Sequence, residues 1–584
     1  MGFLNKIKKH WVALAVAFLA ALAVGFPELY FVYEAGTEYK GAPLMGTDAE
    51  EHYLASMREA SDGRYILSNV YSTPKNIPFL YPEGGEALAG FLSRITGLGV
   101  VRFNMAMKFV SPFVLFLLLY YLSLALGGKR STAILAASFV ILGSNLAARP
   151  KEILSVFVFG PDYHTGFNNY FRPINPEISS MLFFGYLALF YKLIKNPKVM
   201  TAAFLGVILG ASFYFYLFTW TFLLVFTGLF LVFAIVAKNY NLAKGTLLTL
   251  ATALLLSVPY WFEVFRAISS PVYSEAALRF GMVSGRGFFI SGSLILVAVI
   301  SGFLFLRYLF GWGRDIGKEA SIFGALFGFS ILIVYNQQVI TGQSIQSPHY
   351  HFMSTILMLL FFAVFAAWHY IGKVKFFRND FPKAALVALA LVFLFLNNFK
   401  WQTASYLHVR QTAYQRQEYM SVMKWLDKNA PERSIIFGNV ELSSLVPVFT
   451  PLDIYPSGFA QYYLLPGDVF KRYAFLKAWF SGVKAEEAES KFLGELRNKL
   501  SYEVYGIQYR KNMPDEKAIN LAREYEEFRK RDLREILSTD YYKPTYFIFD
   551  QKFNELALPE SEIKNVMEKV ANIDKRFLIY KIKQ

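Results

Sequence analysis

Eleven apolar runs, most of them near the length a helix needs to cross a bilayer, divide residues 1–400. They cover 11–33, 109–126, 132–147, 178–193, 201–217, 219–237, 246–262, 288–309, 321–335, 352–371 and 384–397. Their middles are nearly free of charge. Backbone in hydrocarbon must satisfy its own N–H and C=O groups, so such runs are expected as helices. The expectation is a polytopic α-helical membrane protein of about eleven spans. Composition agrees: 55% of the 584 residues are hydrophobic and 18% aromatic, and the mean hydropathy is +0.34. That is too apolar for a soluble chain of this size. The first run lacks a small-residue cleavage site and leads directly into Pro27 and Glu28, so it reads as a span rather than a secretory signal. Cys is absent, which excludes disulfides, thiol catalysis and cysteine-ligated metal.

A formal net charge of +16 would suggest nucleic acid in a soluble chain. Here many basic residues collect in alternate short loops: Lys6, Lys8 and Lys9; Lys129 and Arg130; Lys192, Lys195 and Lys198; Lys238 and Lys244; Arg307, Arg314 and Lys318; Lys373, Lys375, Arg378 and Lys383. Residues 336–351, on the other side, contain no Lys or Arg. This bias places the N-terminus in the cytoplasm of a multi-pass cell-membrane protein. An odd number of spans then puts the C-terminal part outside. That basic charge is read as topology, and no nucleic-acid partner is expected.

Residues 401–584 are a different kind of sequence, charged and without membrane-length runs. The segment 416–428 is amphipathic and stops at Ala430-Pro431. Strands are expected at 434–437, 446–450, 546–549 and 577–582, with a helical stretch at 515–537. This predicts an extracytoplasmic α/β domain at 401–584 beside a transmembrane domain at 1–400.

Chemistry concentrates in the outer loops. The first, 34–107, carries Asp48 just before an amphipathic helix. That helix is expected to lay Tyr53, Leu54 and Met57 in the membrane interface and to keep Glu50, Glu51, Arg58 and Glu59 in water. Residues 84–96 repeat the pattern through Leu88, Phe91, Leu92 and Ile95. Asp48 with Glu51 also fits a capping box, a role compatible with chemistry. The second loop, 148–177, carries Asp162 and His164, which face one way in an extended segment. With Asp48 they would suit a divalent cation, Mn²⁺ before Mg²⁺; a plain surface loop is the other reading. Arg172 fits a phosphate or a lipid headgroup. His349 and His351 fit the same phosphate or are interfacial polar groups. Glu275 and Arg279 form a helix pair at four-residue spacing. The aromatic run 213–220 is expected as packing, interface belt or groove lining.

These placements resemble the GT-C class of membrane glycosyltransferases. Asp48 in GTDAEEHY is similar to the key acid of that class's first outer loop. Asp162-Tyr163-His164 resembles the second acidic motif of oligosaccharyltransferase catalytic subunits, and Ser274-Glu275 faintly resembles their loop glutamate. Their Trp-Trp-Asp acceptor motif is missing; Trp425-Leu426-Asp427 is an amphipathic helix fragment. The resemblance implies transfer of a sugar from a polyprenyl-phosphate carrier to an acceptor on the outer face. Asp48 would be the base, Asp48, Asp162 and His164 the metal set, Arg172, His349 and His351 the donor-phosphate contacts, and Glu275 a loop acid. Partners would be the lipid-linked donor, membrane lipids and an acceptor whose identity stays open. The alternatives are a lipid or polysaccharide transporter or scaffold without catalysis, and a surface-polysaccharide polymerase or ligase. A transporter is expected to line the membrane midplane with ionisable groups, which these runs lack.

Overall fold

Each apolar run falls on a helix. The computed structural model describes residues 2–46, 50–148, 166–312, 317–371, 373–506, 509 and 513–583. The helices of the first third are α1 (Gly2–Ala35), α2 (Glu50–Ser61), α3 (Gly84–Thr96), α4 (Val100–Ala125) and α5 (Arg130–Ala148). Then follow α6 (Ser179–Lys195), α7 (Val199–Ser212), α8 (Leu217–Val236), α9 (Tyr240–Leu256), α10 (Val258–Ile268) and α11 (Tyr273–Arg279). The remaining membrane part holds α12 (Gly292–Phe310), α13 (Lys318–Tyr335), α14 (Gln338–Thr341), α15 (Pro348–Tyr350), α16 (Ile356–Ile371) and α17 (Asp380–Asn429). Among the described residues nine helices are long and apolar enough to cross a membrane, and α9 with α10, bent by 51°, makes a tenth. The remaining run lies on α7, which at 14 residues is shorter than a span. It stops early because the chain breaks at 213–216, where the first outer loop docks: the Gly84 N–H donates to the Tyr214 carbonyl at 2.7 Å. A Cβ on Gly84 would stand 2.4 Å from that oxygen.

The break also sorts the aromatic run. Phe213 stacks on Trp220 at 4.4 Å between Tyr260 and Trp261, which is packing. Tyr216 and Phe218 turn the other way, toward His349.

The C-terminal part is an α/β domain. Its strands are β3 (Ile435–Phe437), β4 (Asp453–Ile454), β5 (Tyr546–Asp550), β6 (Met567–Ile573) and β7 (Phe577–Ile582); β1 (Val283–Ser284) and β2 (Gln343–Ser344) pair separately in the membrane part. The sheet order is β4-β3-β5-β7-β6, parallel across β4-β3-β5 and antiparallel beyond. Three of the four expected strands are present. The fourth, 446–450, lies instead mostly within α18 (Val440–Phe449), which the Asn439 side chain caps by accepting from the Leu442 N–H at 2.8 Å. The stretch 515–537 is two helices, the second capped by Asp532.

The first outer loop departs from the surface platform expected of it. α2 is internal: Glu50 is 1% exposed and Glu51 4%, while Leu54 and Met57 are fully buried. The carboxylates are compensated by partners distant in sequence, Lys108 and Arg416, so the helix does not need water. α3 does keep an apolar outer face, with Phe91 43% and Ile95 64% exposed. It packs against α2 so closely that a Cβ on Gly90 would meet the Met57 carbonyl at 2.3 Å. α2, residues 67–71, the last turns of α17 and the sheet share one hydrophobic core. Residue 401, where the outer domain was expected to begin, lies inside the continuous α17.

Candidate functional site

The site is built from the ends of the two long outer loops. Asp48, Asp162 and His164 lie outside the described residues. The residues flanking them do not: Gly46 lies against Phe167, whose ring a Cβ on Gly46 would meet at 3.7 Å.

Each loop end is held by a buried polar network. On the first loop, Lys108 of α4 sits between Glu28 of α1, at 2.9 Å, and Glu50 of α2, at 2.8 Å. It also donates to the Leu44 carbonyl and lies 4.2 Å from the centre of the Phe171 ring. Glu50 accepts from the Asn104 amide and from the Gly46 N–H, both at 2.9 Å; Glu28 accepts from the Leu44 N–H at 3.1 Å. Leu44, Gly46 and Glu50 are therefore tied together through Lys108 and Glu28. Glu177, fully buried beside the Ser111 hydroxyl, has no hydrogen bond of ordinary geometry among the described residues.

The second loop end is gripped by α17. The Trp401 indole and the Ser405 hydroxyl both donate to the Gly166 carbonyl, at 2.8 and 2.7 Å. The Asn168 side chain donates to Asn398 at 2.7 Å and to the Ile141 carbonyl at 2.8 Å, and its N–H donates to Gln402 at 2.9 Å.

Arg172 follows on this anchored stretch. Its guanidinium donates to the Asn175 carbonyl and stands 5.4 Å from the centre of the Tyr53 ring. Its charge reaches Tyr216 and His349. His349 is stacked on Phe218 at 4.5 Å, one ring nitrogen bonded to the Tyr216 hydroxyl and the other 2.8 Å from Gln346. Both nitrogens are committed within the protein, so His349 shapes the site. His351 instead packs edge-on to Phe352. Glu275 pairs with Arg279 at 3.1 Å, as the spacing predicts, and also accepts from the Gly467 N–H at 3.1 Å. Arg279 donates to the Leu465 carbonyl. The pair fastens α11 to the outer domain.

Sequence reading passed over a second acidic cluster. Glu83 is 3.2 Å from the His52 ring and accepts from the Tyr463 hydroxyl of the outer domain at 2.7 Å. His52 also contacts the Tyr71 hydroxyl at 3.1 Å. Glu86, fully buried, accepts from Asn175 at 3.4 Å. Burial, then the charge of Glu83, push the Glu86 carboxyl well above the usual range. A raised folded value means the native chain holds a proton that the unfolded chain releases above about pH 4.5. This group's contribution to stability is therefore greatest in acid and falls as pH rises through that window. Glu86→Gln is expected to change the unfolding midpoint least below about pH 4.5. Its stabilisation should grow by up to ~1.4 kcal/mol per pH unit above that, read by thermal unfolding in detergent from pH 5 to 9. A difference that is flat with pH would refute the assignment.

No family model and no curated protein matches the chain. Solved structures do match. The Archaeoglobus fulgidus oligosaccharyltransferase in complex with Zn and sulfate matches with a TM-score of 0.47 at 11% identity, over 97% of this chain and 73% of that one. ArnT from Cupriavidus metallidurans bound to undecaprenyl phosphate matches with a TM-score of 0.44 at 12% identity, over 99% and 98%. Its apo form matches with a TM-score of 0.44 at 12% identity, over 94% and 97%. The likeness is one of backbone arrangement alone, with TM-scores below 0.5.

Proposed function

We propose that this protein is a membrane glycosyltransferase that moves a sugar from a polyprenyl-phosphate carrier to an acceptor at the outer face. One observation supports the reading: the described ends of the two acidic loops meet at Gly46 and Phe167, each on its own buried anchor. Asp48 is two residues from Gly46, and His164 three from Phe167.

In the reaction, the acceptor atom attacks the anomeric carbon and the bond from that carbon to the carrier phosphate breaks. Asp48 takes the acceptor's proton. The departing phosphate is a weak base and needs its charge neutralised more than it needs a proton. Arg172 supplies a cation, held in place by Asn175 and Tyr53. His349 keeps Tyr216 and Gln346 in register behind it, and His351 lies farther along the same segment. Glu275 acts as the loop acid that ties α11 to the outer domain. The N-terminus is cytoplasmic, and the outer domain lies on the catalytic side.

Among the described residues no three carboxylate or imidazole groups converge as a metal site. A divalent cation, Mn²⁺ or Mg²⁺, would be held by Asp48, Asp162 and His164, and would add positive charge at the leaving phosphate. No step above depends on it.

The test uses purified protein in nanodiscs with a panel of polyprenyl-phosphate sugars, with Mn²⁺ or with chelator, reading carrier release. Asp162→Asn and His164→Ala are each expected to lower release at least tenfold, with the unfolding midpoint unchanged. Lipid that binds yet is never released, by wild type or variants, would instead support a transporter or scaffold.

A further inference from the structure

A cavity of about 1160 Å³ opens at the other end of the bundle. Its walls come from the start of α1, the turn between α4 and α5, the last turns of α12 and α16, and the start of α17. Residues 8 and 28 of α1 are roughly 30 Å apart along the helix, so this cavity and the loop site lie at opposite faces of the membrane.

The walls are chemically divided. Lys8, Lys9, Lys129, Arg130, Arg307 and Lys373 line one part, with Lys383 4.0 Å from Asp380 beside them. Phe303, Phe362, Phe365, Val387 and Leu391 line the other. Membrane topology explains why basic residues are plentiful at this face. It does not explain their convergence. Lys195, Lys198 and Lys244 belong to loops of the same face and stay outside the cavity wall. Nor does topology require a concave surface backed by aromatic and aliphatic side chains.

We propose that this cavity binds a phosphate-bearing lipid. The anionic head sits among Lys129, Arg130, Arg307 and Lys373, and the chain runs along Phe362, Phe365 and Leu391. Basic pockets between membrane helices hold anionic head groups in this way. A water-soluble anion would use the cations and leave the apolar wall idle. The phosphate diester of a leaflet phospholipid and the monoester of a polyprenyl phosphate present the same oxyanion, and either would fit.

The full-length protein in detergent would be offered phosphatidylglycerol, undecaprenyl phosphate, phosphatidylcholine or inorganic phosphate, and bound adducts counted by native mass spectrometry. At least one anionic lipid should be retained at least tenfold over phosphatidylcholine, and the better retained of the two names the source. Lys129→Gln/Arg130→Gln/Lys373→Gln should lower that retention about tenfold. Lys195→Gln/Lys198→Gln/Lys244→Gln, which removes the same charge from the same face, should change it less than twofold. If the cavity triple does not fold, Lys129→Gln alone, on an exposed turn residue, should lower retention about threefold. Equal losses in the cavity and control variants would overturn the site, as would phosphatidylcholine retained as well as the anionic lipids. Retention of inorganic phosphate without any lipid would overturn it as well.

Discussion

Asp48→Asn is expected to abolish carrier release, by a factor on the order of 10³, while the unfolding midpoint stays within a degree or two. The substitution separates the two roles that Asp48 can hold. Asn caps a helix about as well as Asp, so the cap that the spacing from Asp48 to Glu51 predicts is kept and only the base is lost. Gly46 is held by Glu50, and Leu44 by Glu28 and Lys108. Asp48→Ala should show the same loss of release with an added cost of ~1 kcal/mol from the missing cap. Release by Asp48→Asn within threefold of wild type would reduce Asp48 to a capping residue and remove the proposed base. The measurement is single-turnover release alongside thermal unfolding of the same preparation.

Lys108→Met is expected to be the most destabilising single change at the site. Lys108 is fully buried, and its removal leaves Glu28 and Glu50 facing each other without a cation. Breaking a buried ion pair from one side costs roughly 3–5 kcal/mol, because the remaining charge stays desolvated. Lys108→Met/Glu50→Gln should recover part of that cost, since a neutral amide can keep the hydrogen bond from Asn104. The coupling between the two positions should reach 0.5–3 kcal/mol. Unfolding in detergent measures stability, and carrier release should fall in parallel, because Glu50 holds Gly46, two residues before Asp48 in the sequence. Additive effects of the two substitutions would show that Lys108 and Glu50 do not act as a pair.

These two sites show how far the sequence can be read. The helical nature of the apolar runs was legible because hydrocarbon leaves backbone few alternatives, whereas the shortness of α7 and the 51° bend between α9 and α10 were not. Glu275 with Arg279 was legible because four-residue spacing places them together. Lys108 was not: the second run begins at Phe109, and a lysine at its edge looks like a loop residue until α4 is seen to begin at Val100. Glu50 and Glu51 were expected in water because their cations, Lys108 and Arg416, come from other helices, and no spacing rule reports such a pairing. Asn397, Asn398 and Gln402 mark the end of the last apolar run, where polar residues ordinarily mean a loop. In the folded chain they face inward, bonding Asn145, Asn168 and the carbonyls of α1. The segment 446–450 misleads for the opposite reason. Its strand-forming residues are short-range evidence, outweighed by the Asn439 cap and by burial of α18.

α17 has 50 residues and no break, about 75 Å of helix. It grips the second loop through Trp401 and Gln402. Further along it grips the first loop through Arg416 and Gln417, the latter accepting from the Lys40 N–H at 2.8 Å and donating to the Ala42 carbonyl at 2.8 Å. The two grips are fourteen residues apart, close to four whole turns. The angle between them is therefore counted in residues rather than set by a hinge. One residue inserted between them would rotate the far grip by about 100°, whereas a whole turn would nearly restore it. The relative orientation of the two acidic loops is written into the length of a single helix, and evolution can retune it there only in steps of a turn.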